Sequence, residues 1–409
     1  LKYYNQHFDG VFWIRGKSEQ KLIATLFINE KGIGTISSLQ SFENGKDITT
    51  NSNEIELILG YINCHFNSLT YSIKLYNAYK SHQTVGPLNK IKYTSHNVLI
   101  SPVYDENINN DLYNTLMLSS NLISNWVPIT GFKLNSNIGK VFEINHFYKQ
   151  PKSIELFQNE DINVSIYFRA STILTKRRES NISENVFLNI EVYNSFSIKE
   201  LTRIKKSMER FFNLILFKPF ISSIIELKSE SQKTYKVIKK SNKLDTNLGK
   251  AIDFNVFVQN SHDIFSNWLE KQDKLELAIL NFFSVYGRQG VLVENKFLTY
   301  ISILENYHKN HISKNANLKT RLEFLITMSS LNTKIKDINA YVEILKTTRH
   351  YHSHLEEKHK NKSLRSDAIF EANYLLEFVI REIFIREIGI KEKLVIPTNI
   401  ELYIMEINK

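Results

Sequence analysis

Cysteine is almost missing from this chain of 409 residues, where Cys64 stands alone. A single thiol excludes an intrachain disulfide and any zinc site built on several cysteines, and it suits a reducing compartment. Proline (6) and glycine (13) are also scarce, so the chain is neither collagen-like nor a low-complexity linker. No apolar run is long enough to span a bilayer. The most apolar stretch, 211–227, is interrupted by Lys218 and Pro219, short of the roughly 20 residues a spanning helix needs. The first residues, Leu1-Lys2-Tyr3-Tyr4-Asn5-Gln6, lack the basic-then-apolar order of a secretory signal. These absences predict a cytoplasmic protein with no membrane partner.

What is present is globular. Hydrophobic residues make up 42% and aromatic residues 12%, too apolar for a disordered chain. The length suffices for two domains, each with its own core. A net charge of +10 suits a nucleic-acid partner, although the bias toward Lys, Asn and Ile along the whole chain gives such a charge without any function.

The pattern changes near residue 260. Before it, short β-type runs dominate, at 10–14, 21–28, 54–61, 72–76, 141–147, 163–168 and 186–193. Several alternate apolar and polar residues between turn residues. One helix is embedded at 198–216, with Ser197 as N-cap and Glu200 at the capping-box position. The stretch 229–250 reads as a surface hairpin leading to a linker. Beyond it, 3–4 spacing of apolar residues predicts helices at 262–286, 291–310, 318–330, 334–348 and 366–388, the last closed by Gly389. The expected fold is therefore α+β. A β-rich, sandwich-like domain spans 1–258, and an all-α helical bundle spans 259–409.

The last helix is apolar on two sides. Ala368, Ala372, Leu375, Leu376, Val379 and Ile383 form one stripe, and Phe370, Tyr374, Phe378 and Ile385 a second. The second stripe meets another layer of the bundle, the β-rich domain or a second copy of the chain.

The richest chemistry lies at Thr348-Arg349-His350-Tyr351-His352-Ser353-His354. With 12 arginines and 12 histidines, chance alone yields about one pair at this kind of spacing, so the setting must carry any argument. The preceding helix presents Ile335, Ile338, Val342 and Leu345 along one stripe, and Arg349 lies one turn beyond Leu345. Five residues rotate a regular helix by about 140° net. A break between His350 and Ser353 is thus expected if Arg349 and His354 are to enter one cleft. The plainer reading of Arg349 is a cation serving the helix C-terminus.

Three histidines at alternate positions, His350, His352 and His354, with His359 beyond, would suit a metal if they lay on a strand. Their flanks are helical, and no metal is expected. His308 and His311, three apart on a helix, read as solvated. Lys358, Lys360, Lys362 and Arg365 follow the motif and form either an RNA-backbone contact or a solvated loop. Trp13 and Trp126 read as core aromatics.

In this arrangement the chain resembles HEPN-domain proteins, in particular the ApeA-type anti-phage defence family. The resemblance rests on the opening run Phe8-Asp9-Gly10-Val11-Phe12-Trp13-Ile14, followed by Leu22 to Leu26 and a turn through Gly32. It rests further on the helix from Phe297 to His308 with its acidic Glu305, and on the Arg349–His354 segment followed by a helix ending Glu387-Ile388-Gly389. Where such families often have Asn after the Arg, this chain has His350. The resemblance implies metal-independent RNA cleavage with no cofactor, Arg349 and His354 as catalytic pair, and His350, His352 and Glu305 as auxiliaries. It also implies a homodimer through the helical domain, a phage-derived trigger acting on the N-terminal domain, and tRNA or another host RNA as substrate. The competing readings are a catalytically silent HEPN protein that binds RNA or nucleotide or only dimerises, a histidine metalloenzyme, and a glycan- or peptide-binding protein using the β-rich domain.

Overall fold

The computed structural model describes residues 3–42, 54–64, 69–84, 90–138, 142–176, 179–216, 218, 220–239, 251–288, 290–355, 357–391 and 394–409. The chain divides into two compact units. One comprises residues 1–206 and 221–247, the other 207–220 and 248–409.

The first unit carries the strands β1 (Gln6–Ile14), β2 (Leu22–Ile28), β3 (Gly34–Ser38), β4 (Glu54–Cys64), β5 (Leu69–Thr84), β6 (Lys90–Ser95), β7 (Asn97–Ser101) and β8 (Tyr113–Ser119). After the short helix α1 (Asn121–Trp126) come β9 (Phe132–Ile138), β10 (Phe142–Tyr148), β11 (Ile154–Gln158), β12 (Ile162–Lys176) and β13 (Glu179–Phe196). The helix α2 (Ile198–Leu216) precedes β14 (Ile224–Ser229) and β15 (Thr234–Ile238). Thirteen strands make one sheet, and β9 with β10 forms a separate hairpin.

The expectation of a β-rich N-terminal half holds, with a closure that the sequence pattern did not reveal. In the order β5-β4-β1-β2-β3-β6, with β6 returning to β5, six strands close a ring. The other seven extend as an open wing from the opposite edge of β5, through β7, β15, β14, β8, β13 and β12 to β11. Alternation drives this arrangement: Leu22, Ala24, Leu26 and Ile28 of β2 are buried while Ile23 between them is 83% exposed. Phe8, Phe12, Ile36, Ile62 and Ile73 join them in one core. Closing the ring needs tight contact at one register position, where Phe12 of β1 faces Gly60 of β4. A Cβ on Gly60 would overlap the Phe12 ring. Of the stretch 229–250 expected as a surface hairpin, Thr234–Ile238 is β15, which pairs with β14 and β7 inside the sheet. Residues 240–250 lie outside the described residues.

β5 forks the sheet. It pairs with β7 over Ser72–Tyr76 and with β6 over Tyr79–Thr84. Between the two stretches Asn77 takes a left-handed backbone, φ 50°. Close by, Lys74 is fully buried with its ammonium over the rings of Tyr113 (5.1 Å) and Tyr235 (4.8 Å). It donates to the Asn110 carbonyl at 2.7 Å and lies 3.6 Å from Asp111. Tyr76 donates to Asp111, and Tyr235 donates to Asp105 at 2.7 Å. Burial pushes the Lys74 ammonium below its usual range, against the pull of Asp111 and Asp105.

The capping box of α2 is present as expected. Both the amide and the hydroxyl of Ser197 donate to Glu200, at 2.9 and 2.7 Å. The second half of α2 belongs to the helical unit, where Phe211 packs among Phe257, Phe265 and Trp268. That unit continues with α3 (Phe254–Gln259), α4 (Ser261–Val285), α5 (Val293–His311), α6 (Leu318–Met328), α7 (Ile338–His354), α8 (Glu357–Lys360), α9 (Ser366–Glu387) and α10 (Thr398–Ile407). A 3-10 turn, Ser330–Thr333, follows α6, and α7 starts at Ile338, four residues later than expected.

Helices α4, α5 and α9 meet at Phe282, Tyr300 and Phe384, with ring centroids 5.8 Å apart in both pairs made by Phe282. The first stripe of α9 is buried apart from half-buried Ala368. The second divides: Phe378 and Ile385 are buried, whereas Phe370 is 49% and Tyr374 39% exposed. Gly389, at φ 85°, ends α9, and the Ile390 amide reaches back to the Ile385 carbonyl at 3.1 Å. Among the described residues, no helix is long and apolar enough to cross a membrane.

Candidate active site

α7 begins at Asp337, whose carboxylate accepts from the Ala340 amide at 2.9 Å. It buries Tyr341, Val342, Leu345 and Thr348. The helix then runs unbroken to His354, and the turn comes only at Leu355, in the left-handed region at φ 54°. The break expected between His350 and Ser353 is absent. The helical bonds continue because nothing in His350-Tyr351-His352-Ser353 removes a donor or forbids helical angles. Arg349 and His354 therefore leave the helix about 140° apart.

The two residues keep different company. Arg349 Nη2 lies 3.6 Å from Glu305 Oε2 on α5, with the Arg side chain 31% exposed. The other Glu305 oxygen lies 3.3 Å from Nη1 of Arg321 on α6. Arg321 is buried and also donates to the Lys314 carbonyl at 2.9 Å. Glu305 is thus held between a fixed guanidinium and an accessible one. Arg321 escaped notice in the sequence because its partner is sixteen residues away and no local pattern marks it.

His354 belongs to a column of imidazoles. The His350 ring lies 6.1 Å from that of His354 and 5.9 Å from that of His359, both pairs nearly parallel at 28°. His359 arrives on α8, which folds back beside α7. Burial, and then the charge of Arg349 and the neighbouring His359, pushes the His350 imidazole below its ordinary range. Thr348 holds the returning loop: its hydroxyl donates to the Ile344 carbonyl at 2.8 Å and accepts from the Leu364 amide at 3.0 Å.

His352, two residues from His350, points away from the column, its ring edge-on to Tyr351 at 4.9 Å. Its Nε2 is buried without a hydrogen-bond partner among the described residues. Lys358, Lys360, Lys362 and Arg365 are exposed around the returning loop. Lys360 is paired with Glu357 at 3.3 Å.

His308, expected on a solvated face, is 3% exposed, edge-on to Phe324, and pushed down by burial. Among the described residues no three His, Cys, Asp or Glu side chains are placed to hold a metal ion. In α9, Glu377 and Arg381 lie in the core near Tyr300 and Tyr286. Burial pushes the carboxyl up and the guanidinium down to about 9. Their i,i+4 spacing is a signal that the sequence itself carries.

Searches of curated proteins and of solved structures return no match. Two family models do match. The one described as ApeA N-terminal domain 1 covers residues 7–282, and the one described as Apea-like HEPN covers 286–394. The second contains Glu305, Arg349, His350 and His354 together. The chain belongs to the ApeA family of anti-phage defence proteins and carries its HEPN domain at the C-terminal side.

Proposed function

We propose that this protein is a metal-independent endoribonuclease that halts infection by cutting tRNA or another host RNA. The observation that carries the reading is an accessible Arg349, tethered to Glu305, on the same two turns of α7 as His350 and His354, which His359 of α8 joins in one imidazole column. In the proposed step, the ribose 2′-hydroxyl loses its proton to an imidazole and attacks the adjacent phosphorus. The bond from phosphorus to the 5′ oxygen breaks, and that oxygen takes up a proton. The products are a 2′,3′-cyclic phosphate and a 5′-hydroxyl.

His354 serves as proton carrier, since histidine is the side chain suited to proton movement near neutral pH. His350, pushed below its ordinary range by burial and the charge of Arg349, stands between His354 and His359 and is fit to orient them. Arg349 stays cationic and clamps the phosphate as charge builds on its oxygens. DNA lacks the attacking group, so cleavage is confined to RNA.

The angular separation on an unbroken helix favours a composite site. Two copies related by a two-fold axis would set the Arg349 of one near the imidazoles of the other. Phe370 and Tyr374, exposed on the first turns of α9, offer apolar area for that contact. Lys358, Lys360, Lys362 and Arg365 would track the RNA backbone, and a phage-derived component acting on the N-terminal unit would release the activity.

The test is RNA incubated in EDTA with the purified protein and the phage component, with end-group analysis of the fragments. Wild type is expected to leave cyclic-phosphate ends, and Arg349→Ala and His354→Ala to leave RNA intact. Normal cleavage by both variants would end this reading. Because Arg349 is already engaged by Glu305, a second reading is a silent HEPN protein that binds RNA or dimerises. It would be recognised by RNA binding with no cleavage in the presence of the phage component.

A further inference from the structure

Beside the fork in β5 a cavity of ≈ 900 Å³ lies inside the first unit, between the first turns of α2 and residues of β4, β5, β7, β8, β14 and β15. That volume lies within the range of small-molecule sites, about 300–1,000 Å³. Its floor is apolar, with Leu99, Leu116, Ile225 and Leu227. Among the described residues its rim carries six basic residues, Arg15, Lys199, Arg203, Lys205, Lys206 and Lys239, and two acidic ones, Glu56 and Asp111. Asp111 is already matched by Lys74 at 3.6 Å and Arg15 at 3.7 Å. The wall is therefore strongly cationic.

The cations are ordered as well as numerous. Lys199, Arg203 and Lys206 stand at i, i+4 and i+7 and share one face of α2. Charge spread along two turns of helix fits several linked phosphates better than one carboxylate. Across the cavity, Asn77 and Asn97 supply amide groups able to read a polar ring edge. Asn77 sits mid-strand in the left-handed region. Such strain in a residue other than glycine persists only where the surroundings enforce it, and it concentrates at ligand sites.

We infer that this cavity binds a nucleotide, with the phosphates on the basic face of α2 and the base over the apolar floor beside Asn77 and Asn97. The site is separate from the α7 chemistry, and its test does not depend on RNA cleavage.

The test is calorimetric titration of the full chain with ATP, GTP, inorganic pyrophosphate and adenosine. ATP or GTP is expected to bind in the micromolar range, pyrophosphate more weakly, and adenosine at least about tenfold more weakly than ATP. The double variant Lys199→Glu/Arg203→Glu, both positions exposed, should weaken ATP by about tenfold or more, roughly 1.4 kcal/mol. Lys152→Glu, exposed and outside the cavity, should leave it unchanged. Three results would each overturn the assignment. They are no binding of any phosphate-bearing probe at millimolar concentration, equal binding by the double variant, or a short RNA binding at this face while ATP and GTP do not.

Discussion

Two polar clusters in this molecule differ in how they are closed. At the β5 fork, Lys74, Asp111, Asp105 and the tyrosines around them are buried and satisfy one another. At the end of α7, Arg349 and His354 remain accessible, and their partners are few. A closed network holds strands in register and offers nothing to a substrate, whereas an open one holds charge and imidazole in reserve. Substitutions should accordingly cost folding stability in the first cluster and chemistry in the second.

The largest expected effect is on the closed side. Lys74→Met removes the buried cation beside Asp111 and should lower unfolding free energy by about 3–5 kcal/mol, read by denaturant titration. A loss below about 1 kcal/mol would mean that Arg15 at 3.7 Å compensates and the network is not closed. Next comes Arg349→Lys, which keeps the charge and loses the planar fork. RNA cleavage should fall about a hundredfold, roughly 2.7 kcal/mol, with Tm nearly unchanged. A large Tm drop would recast Arg349 as a structural partner of Glu305.

Thr348→Val lies between the two sides, since it releases the Leu364 amide while keeping the shape. It should cost about 1–2 kcal/mol and also reduce cleavage by loosening the loop that carries His359. Unchanged cleavage would separate that loop from the site.

The smallest effect is a pH dependence of the helical unit. His308 and His350 both lie below the ordinary imidazole value of 6.5 in the folded chain. The unfolded chain then binds more protons between the two values, so their contribution, full above about pH 6.5, is lost as pH falls through the folded values. Tm should drop on acidification from about pH 7 to about pH 5, and His308→Gln should flatten the drop. An unchanged profile in the variant would remove His308 from this account.

Much of the architecture was legible in the sequence because it is local. The alternation of β2, the capping box Ser197–Glu200 and the stripe of α9 each encode their element within a few residues. Ring closure was not legible, since it depends on β3 (Gly34–Ser38) pairing with β6 (Lys90–Ser95), strands far apart in the sequence. Nor was the exchange of Arg321, Glu305 and Arg349 among three helices. The segment Arg349–His354 was found from residue types and family likeness, but its shape was misjudged. The break was inferred from what a one-chain cleft would need, whereas the residues themselves, with no glycine or proline among them, favour continuing the helix.

α2 has a consequence for inheritance. Its first turns serve the sheet and its last turns seat Phe211 among the aromatics of the helical unit, and the chain passes between the units at 206, 220 and 247. A gene fragment beginning after that point would encode α3 and α4 without the phenylalanine on which they pack. The helical unit is thus not a cassette that recombination can move intact unless the end of α2 travels with it.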